Sequence, residues 1–156
     1  MRTTSRAAPT TRRKRTHSGG NGRKGACSLS NLSASYGEGG RLTLTEANNY
    51  ATTLLSLKRF KEARKLLRKT IPVARRVLGE SHDLTLKMRW CYARALYENT
   101  GATLDDLREA VSTLEDAERI ARRVLGGAHP VTVGIGDALG NARAALRARE
   151  TPSSSP

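Results

Sequence analysis

The sequence predicts an all-α chain, an open array of helices two and a half repeating units long, behind a disordered amino-terminal tail. Three observations predict it. First, short motifs recur at fixed spacing, the signature of a repeat architecture. Leu42-Thr43-Leu44 returns as Leu84-Thr85-Leu86, and Tyr50-Ala51 with Leu54 returns as Tyr92-Ala93 with Leu96, both 42 residues on. Ala74-Arg75-Arg76-Val77-Leu78-Gly79 returns as Ala121-Arg122-Arg123-Val124-Leu125-Gly126, and His82 as His129, both 47 residues on. Second, apolar residues inside each unit step by three or four, as on one face of a helix. Third, no segment alternates apolar and polar residues as a half-buried strand would.

Five helices follow in order. The first, about 43–57, opens on Thr43 and Glu46, which have the spacing of a capping box. The second, about 59–78, buries Ala63, Leu67, Thr70/Ile71, Ala74 and Val77/Leu78 and turns Lys61, Lys65, Arg68 and Lys69 outward. Pro72 lies inside it, removing a backbone donor and crowding the carbonyl of Arg68, so a kink is expected near Arg68 to Pro72. Gly79 then stops the helix, as Gly126 does in the next unit. The third helix, about 84–97, repeats the first. The five extra residues of the second unit fall around Glu98 to Asp105. The fourth helix, about 104–125, starts on Thr103 and Asp106, an aspartate variant of the capping box, with Asp105 and Asp106 placed where the helix macrodipole favours negative charge. The fifth, about 131–148, begins after Pro130 and contains Gly134, Gly136 and Gly140, which makes it the weakest element.

The chain has 156 residues, the size of one domain, and 28 Lys+Arg against 14 Asp+Glu give a net charge of +14. Of the first forty residues nineteen are Ser, Thr, Gly or Pro and only Glu38 is acidic, so residues 1–40 read as a disordered basic tail. Residues 41–150 are the repeat domain and 151–156 a disordered end. No apolar run is long enough for a membrane helix, and residues 1–40 hold no apolar core of a secretory signal. Cys27 and Cys91, 64 residues apart, build neither a disulfide framework nor a four-ligand zinc site. These features place the chain inside the cell, in the cytoplasm first, with nuclear or organellar sites as alternatives. On the same ground the sequon Asn31-Leu32-Ser33 reads as accidental.

The residues Thr43-Leu44, Asn48-Asn49, Ala51, Leu54, Phe60, Glu62-Ala63, Leu78-Gly79 and His82, followed by Thr85-Leu86, resemble the tetratricopeptide repeats of kinesin light chains, with their unit of about 42 residues. The junction Leu125-Gly126-Gly127-Ala128-His129-Pro130 is similar as well. The resemblance spans about 110 residues and implies a short right-handed α-solenoid of helical hairpins. Three features depart from it: Lys58 at the usual inter-helix glycine, Asp83 in place of the proline after His82, and the insertion. The resemblance further implies that the first helix of each unit lines a concave groove. By position that groove holds Thr45, Asn48, Thr52 and Leu55, then Lys87, Trp90, Arg94 and Tyr97, then Asp137 and Asn141. An aromatic anchor beside a fixed cation suits a peptide or partner helix with apolar and acidic residues. The competing reading of Trp90 is plain inter-helix packing.

Other signals point elsewhere. Lys58, Arg59, Lys61, Arg64, Lys65, Arg68, Lys69, Arg75 and Arg76 form a basic run that fits either a solvated helix face or a polyanion surface. Arg12, Arg13, Lys14 and Arg15 make a tail patch suited to nuclear import or polyanion binding, and the acid-poor start also fits a transit peptide. Gly134-Ile135-Gly136-Asp137-Ala138-Leu139-Gly140 mimics a dinucleotide fingerprint, but no βαβ unit fits around it, so close helix approach is the better account and no cofactor is expected. His17, His82 and His129 have no cysteine or paired carboxylate at catalytic spacing; the last two read as junction residues that pack or cap, and Cys91 as a small buried hydrophobe. The sequence thus points to a non-catalytic interaction module. Nucleic-acid or polyanion binding through the tail and outer helix is the alternative, and a fragment of a longer array is a third reading. The last helix lacks a covering partner, so self-association through that end is also expected.

Overall fold

The computed structural model describes residues 38–151, with side chains from Thr43 onward, and its regular elements are five helices. They are α1 (Glu38–Ser56), α2 (Phe60–Val77), α3 (Asp83–Tyr97), α4 (Leu104–Val124) and α5 (Pro130–Glu150). The readings placed on Arg12 to Arg15, His17, Cys27, the sequon and residues 152–156 lie outside the described residues. Each helix packs on the next, and α3 also touches both α1 and α5. The result is a short two-layer solenoid, with α1, α3 and α5 in one layer and α2 and α4 in the other.

The core is a ladder of repeat-equivalent side chains. Leu44 and Leu86, Leu54 and Leu96, and Leu67 and Leu114 are all buried. Ala63, Ala74, Ala110 and Ala121 are fully buried, and their lack of bulk lets α2 and α4 lie close to their neighbours. Residue identity follows the neighbour that covers each position. In α3, Met88, Cys91, Tyr92 and Ala95 are buried, whereas their α1 equivalents Glu46, Asn49, Tyr50 and Thr53 are exposed. At the other end Leu86, Ala93 and Leu96 are replaced on α5 by exposed Val133, Gly140 and Arg143. The uncovered side of α5 therefore carries Val133 as its large exposed apolar side chain among the described residues.

Helix ends were largely legible. His82 and His129 are both N-caps: their Nδ1 atoms accept the backbone N–H groups of Leu84 at 3.1 Å and Val131 at 3.3 Å. Gly79 and Gly126 have φ of 95° and 89°, the left-handed conformation of a helix stop. Between α1 and α2, Lys58 N–H donates to Leu55 O at 3.0 Å and Arg59 N–H to Leu54 O at 2.8 Å. This is the pairing of a Schellman stop, and it puts Lys58 at the left-handed position with φ 56°. The backbone thus imposes the glycine conformation although the sequence supplies a lysine.

One expectation at a helix interior is corrected. No helix start lies at Thr43: α1 begins at Glu38, so Thr43 and Glu46 sit within it rather than forming its cap. A helix anchored through buried Leu44 and Ala47 propagates backward cheaply once its first turns exist. At Pro72, α2 continues as one helix from Phe60 to Val77. Pro72 is exposed, so the Arg68 carbonyl that loses its donor lies on the solvent side, where water can satisfy it. Buried Leu66, Leu67, Thr70 and Ala74 hold the helix on both sides of the proline. Thr70 Oγ1 also donates back to Leu66 O at 3.1 Å, tying that turn together.

The insertion goes into a longer connection, residues 98–103, and an added first turn of α4, Leu104 to Asp106. Thr103 Oγ1 accepts from Asp106 N–H at 3.1 Å while Asp106 Oδ2 accepts from Thr103 N–H at 3.0 Å, completing the expected capping box. The far end of α5 reaches this connection. Arg149 donates to Ala102 O at 3.1 Å and to Thr100 O at 3.2 Å, and Arg108 pairs with Glu150 at 3.2 Å.

Candidate functional site

The α1, α3 and α5 layer presents one face in repeat-equivalent rows. One row is Thr45, Lys87 and Gly134; the next is Asn48, Trp90 and Asp137; the third is Thr52, Arg94 and Asn141; the fourth is Leu55, Tyr97 and Ala144. Thr45, Thr52, Asp137 and Asn141 are exposed, while Asn48, Lys87, Trp90, Arg94 and Tyr97 are half-buried. Leu55 does not face outward as expected: it is 4% exposed and belongs to the core. Its apolar side chain gains more by packing against its neighbours than by lining an open surface.

Trp90 leans on α5. A Cβ added at Gly134 would stand 2.4 Å from Trp90 Cη2 and 2.8 Å from Cζ2. The indole therefore occupies the space that a side chain would fill, and packing accounts for most of its surface. Gly134 is thus the close-approach glycine of the Gly-rich run, whereas a Cβ at Gly140 would meet nothing within 4 Å.

The two cations on this face are neutralised locally. Lys87 Nζ pairs with Asp83 Oδ2 at 2.7 Å, and Arg94 Nε with Glu98 Oε1 at 2.7 Å. The Glu98 hydrogen bond raises the Arg94 pKa further above its ordinary value. Burial pushes the Tyr97 phenol up and Glu98 adds to this, with Arg94 and Asn141 acting in the opposite direction. Burial likewise raises the Cys91 thiol, whose Sγ lies 3.8 Å from Thr52 Oγ1. Two polar atoms at the same repeat position lack any hydrogen-bond partner while buried: Asn48 Oδ1 on α1 and Trp90 Nε1 on α3. Unpaired buried groups of this kind cost about 1–3 kcal/mol each, so a donor or acceptor that reaches them recovers free energy.

A polar network not anticipated from the sequence joins α2, α3 and α4. Tyr92 hydroxyl donates to Glu109 Oε1 at 2.7 Å, Arg64 approaches Glu109 at 4.0 Å and pairs with Asp106 at 2.7 Å. Burial followed by the Glu109 bond raises the Tyr92 pKa. The signal was present, because Tyr92 and Glu109 each repeat an earlier Tyr50 and Glu62. Arg89, whose pKa is lowered by burial, sits beside this region with Asp116 at 3.8 Å.

Five helices with repeat-equivalent caps, stops and core positions now stand beside the comparison with known families. Residues 43–83 match the tetratricopeptide repeat family. That match covers α1 from Thr43 on, α2 and the junction to α3 at His82 and Asp83, and it supports a tetratricopeptide-type chain. No curated protein and no solved structure matches the sequence. The repeat's helical hairpin is the unit that α3 and α4 copy and that α5 begins again. Among the described residues no group of three or more His, Cys, Asp or Glu is placed to hold a metal, and no helix is long and apolar enough to cross a membrane.

Proposed function

We propose that the chain is a non-catalytic protein-interaction module that holds a peptide or a partner helix on its α1–α3–α5 face. The tetratricopeptide match supports a protein-binding role in general. The observation that carries the finer reading is the pair of unpartnered buried groups, an acceptor at Asn48 Oδ1 and a donor at Trp90 Nε1, on neighbouring first helices. A peptide backbone offers both complementary groups on each residue. A small side-chain rearrangement admits it to the face between Thr52, Arg94 and Asn141. An acidic ligand residue would take the place of Glu98 on Arg94, a planar donor suited to paired contacts with a carboxylate. The likeness of the repeat to kinesin light chains supports the same adaptor role.

The test is selection of peptides from a displayed library on the full chain, followed by affinity measurement with Asn48→Ala and Arg94→Glu variants. Peptides of one shared pattern, weakened about tenfold or more by either change, are the expected result. Selected peptides indifferent to both changes would rule this face out.

A further inference from the structure

The outer face of α2 carries an excess of positive charge that the fold does not require. Between Phe60 and Val77 there are seven Lys or Arg and one acid, a net +6, while α4 has four Arg and six acids, a net −2. The two helices are repeat equivalents with the same buried face. At three outward positions the residue changes sign or class: Lys65, Arg68 and Lys69 of α2 stand where α4 has Ser112, Glu115 and Asp116. The second unit is therefore an internal control, showing that the hairpin accepts neutral or acidic residues at these positions. A solvated face that only needed solubility would have no reason to be one-signed.

Pairing sharpens the contrast. On α4, Glu115 is held by Arg143, Asp116 by Arg119 and Glu118 by Arg122, each at 2.7 Å. Arg59, just before α2, is held by Glu62, and on α2 Arg64 is held by Asp106 and Arg75 by Glu80. Lys61, Lys65, Arg68, Lys69 and Arg76 are exposed and make no ion pair among the described residues. From Lys61 to Arg76 this stripe extends about 22 Å along the helix axis at 1.5 Å per residue. No large apolar side chain is exposed within it. A docking protein would need an apolar centre depleted of lysine, so this face is poorly suited to one. It is well suited to a ligand recognised by charge alone.

We propose that the outer face of α2 binds the phosphate backbone of duplex nucleic acid without reading its sequence. The stripe is long enough to touch phosphates on both sides of a major groove about 12 Å wide. Single strands are bound chiefly by stacking on aromatic side chains. The one aromatic of α2, Phe60, instead packs against the core, so the face favours a duplex. This surface lies on the layer opposite the peptide face, and the two sites are independent.

The experiment is fluorescence anisotropy of the full chain with a random-sequence duplex of about 20 base pairs, across a salt series. It compares the parent with Lys65→Ser/Arg68→Glu/Lys69→Asp, which installs the residues of the second unit. The same comparison is made in a background with Arg12, Arg13, Lys14 and Arg15 all changed to Ala, so that the tail is controlled. Circular dichroism checks folding, and Lys61→Gln/Lys65→Gln/Arg68→Gln/Lys69→Gln provides a second, milder variant. In both backgrounds the expected result is at least a tenfold loss of affinity at low salt. The plot of log affinity against log salt should flatten by about 0.9 for each phosphate contact removed. Unchanged affinity in either folded variant would overturn the proposal. So would tighter binding to single strands, or to polyglutamate of matched charge, than to duplex.

Discussion

Gly134 and Gly140 lie on the same helix six residues apart, yet the same substitution should move stability in opposite directions. Replacing glycine by alanine in a helix interior gains about 1 kcal/mol of propensity. At Gly140 nothing stands within 4 Å of the added methyl, so Gly140→Ala should stabilise the chain by about that amount. At Gly134 the methyl would lie 2.4, 2.8 and 3.0 Å from three carbons of the Trp90 ring. Ordinary carbon contacts are about 3.5–4.0 Å, so the indole must retreat by roughly 1 Å. Such overpacking costs about 1–3 kcal/mol, and subtracting the propensity gain leaves Gly134→Ala destabilising by about 1 kcal/mol. The two variants should therefore differ by about 2 kcal/mol. Urea unfolding followed by far-ultraviolet circular dichroism measures the difference. Trp90 is the single tryptophan of the chain, so its emission reports the junction directly. Emission should shift in Gly134→Ala and stay unchanged in Gly140→Ala. Equal stabilisation by both changes, with unshifted emission, would show that the indole does not occupy this space.

Three further outcomes are expected. Lys58→Gly should raise stability by about 0.5–1 kcal/mol, because a non-glycine residue in the left-handed conformation costs about 1–2 kcal/mol and the added chain entropy of glycine returns only part of it; thermal unfolding of the two chains measures this, and a lower Tm would contradict the Schellman assignment. Asp106 is held below its ordinary carboxylate pKa, first by the Thr103 backbone N–H and further by the Thr103 hydroxyl and Arg64. A lowered folded pKa means that its contribution is complete above the unfolded value and is lost as pH falls through the folded one. Asp106→Asn should accordingly flatten the acid limb of a Tm-against-pH profile below about pH 4, and an unchanged limb would remove Asp106 from the account. Cys91, 7% exposed and with its thiol pushed up by burial, should resist iodoacetamide in the native chain and react only as urea unfolds it, as peptide mass mapping of the Cys91 segment would reveal. Rapid native labelling would place Cys91 on an accessible surface.

The repeat made much of this fold legible because equivalent positions answer to equivalent neighbours. His82 and His129, Gly79 and Gly126, and the paired leucines could be assigned from spacing, and the hydrogen bonds and dihedrals give each the same local job. The start of α1 was not legible, since Gly39 and Gly40 oppose a helix locally while anchoring by Leu44 and Ala47 is a tertiary effect. That α2 continues as one helix past Pro72 depends on which side of the helix faces water. At the candidate site, Trp90 and the glycine run stand out in the sequence as separate signals. What the sequence could not supply was that they are partners, 44 residues apart, across the α3–α5 contact. Arg94 and Lys87 were recognised as cations, but their neutralisation by Glu98 and Asp83 depends on rotamers that spacing alone leaves open.

The contact of Arg149 with the carbonyls of Thr100 and Ala102 has a consequence in time. Most links in this solenoid join a helix to its immediate successor and form as soon as that successor is made. The connection between α3 and α4 is different, because the guanidinium that fixes it is 47 residues downstream of Ala102. At about 5–20 residues per second of synthesis, that connection waits roughly 2–9 s for its clasp. During that interval α4 is made and packs while the segment before it still lacks its clasp, which arrives with the last turn of α5.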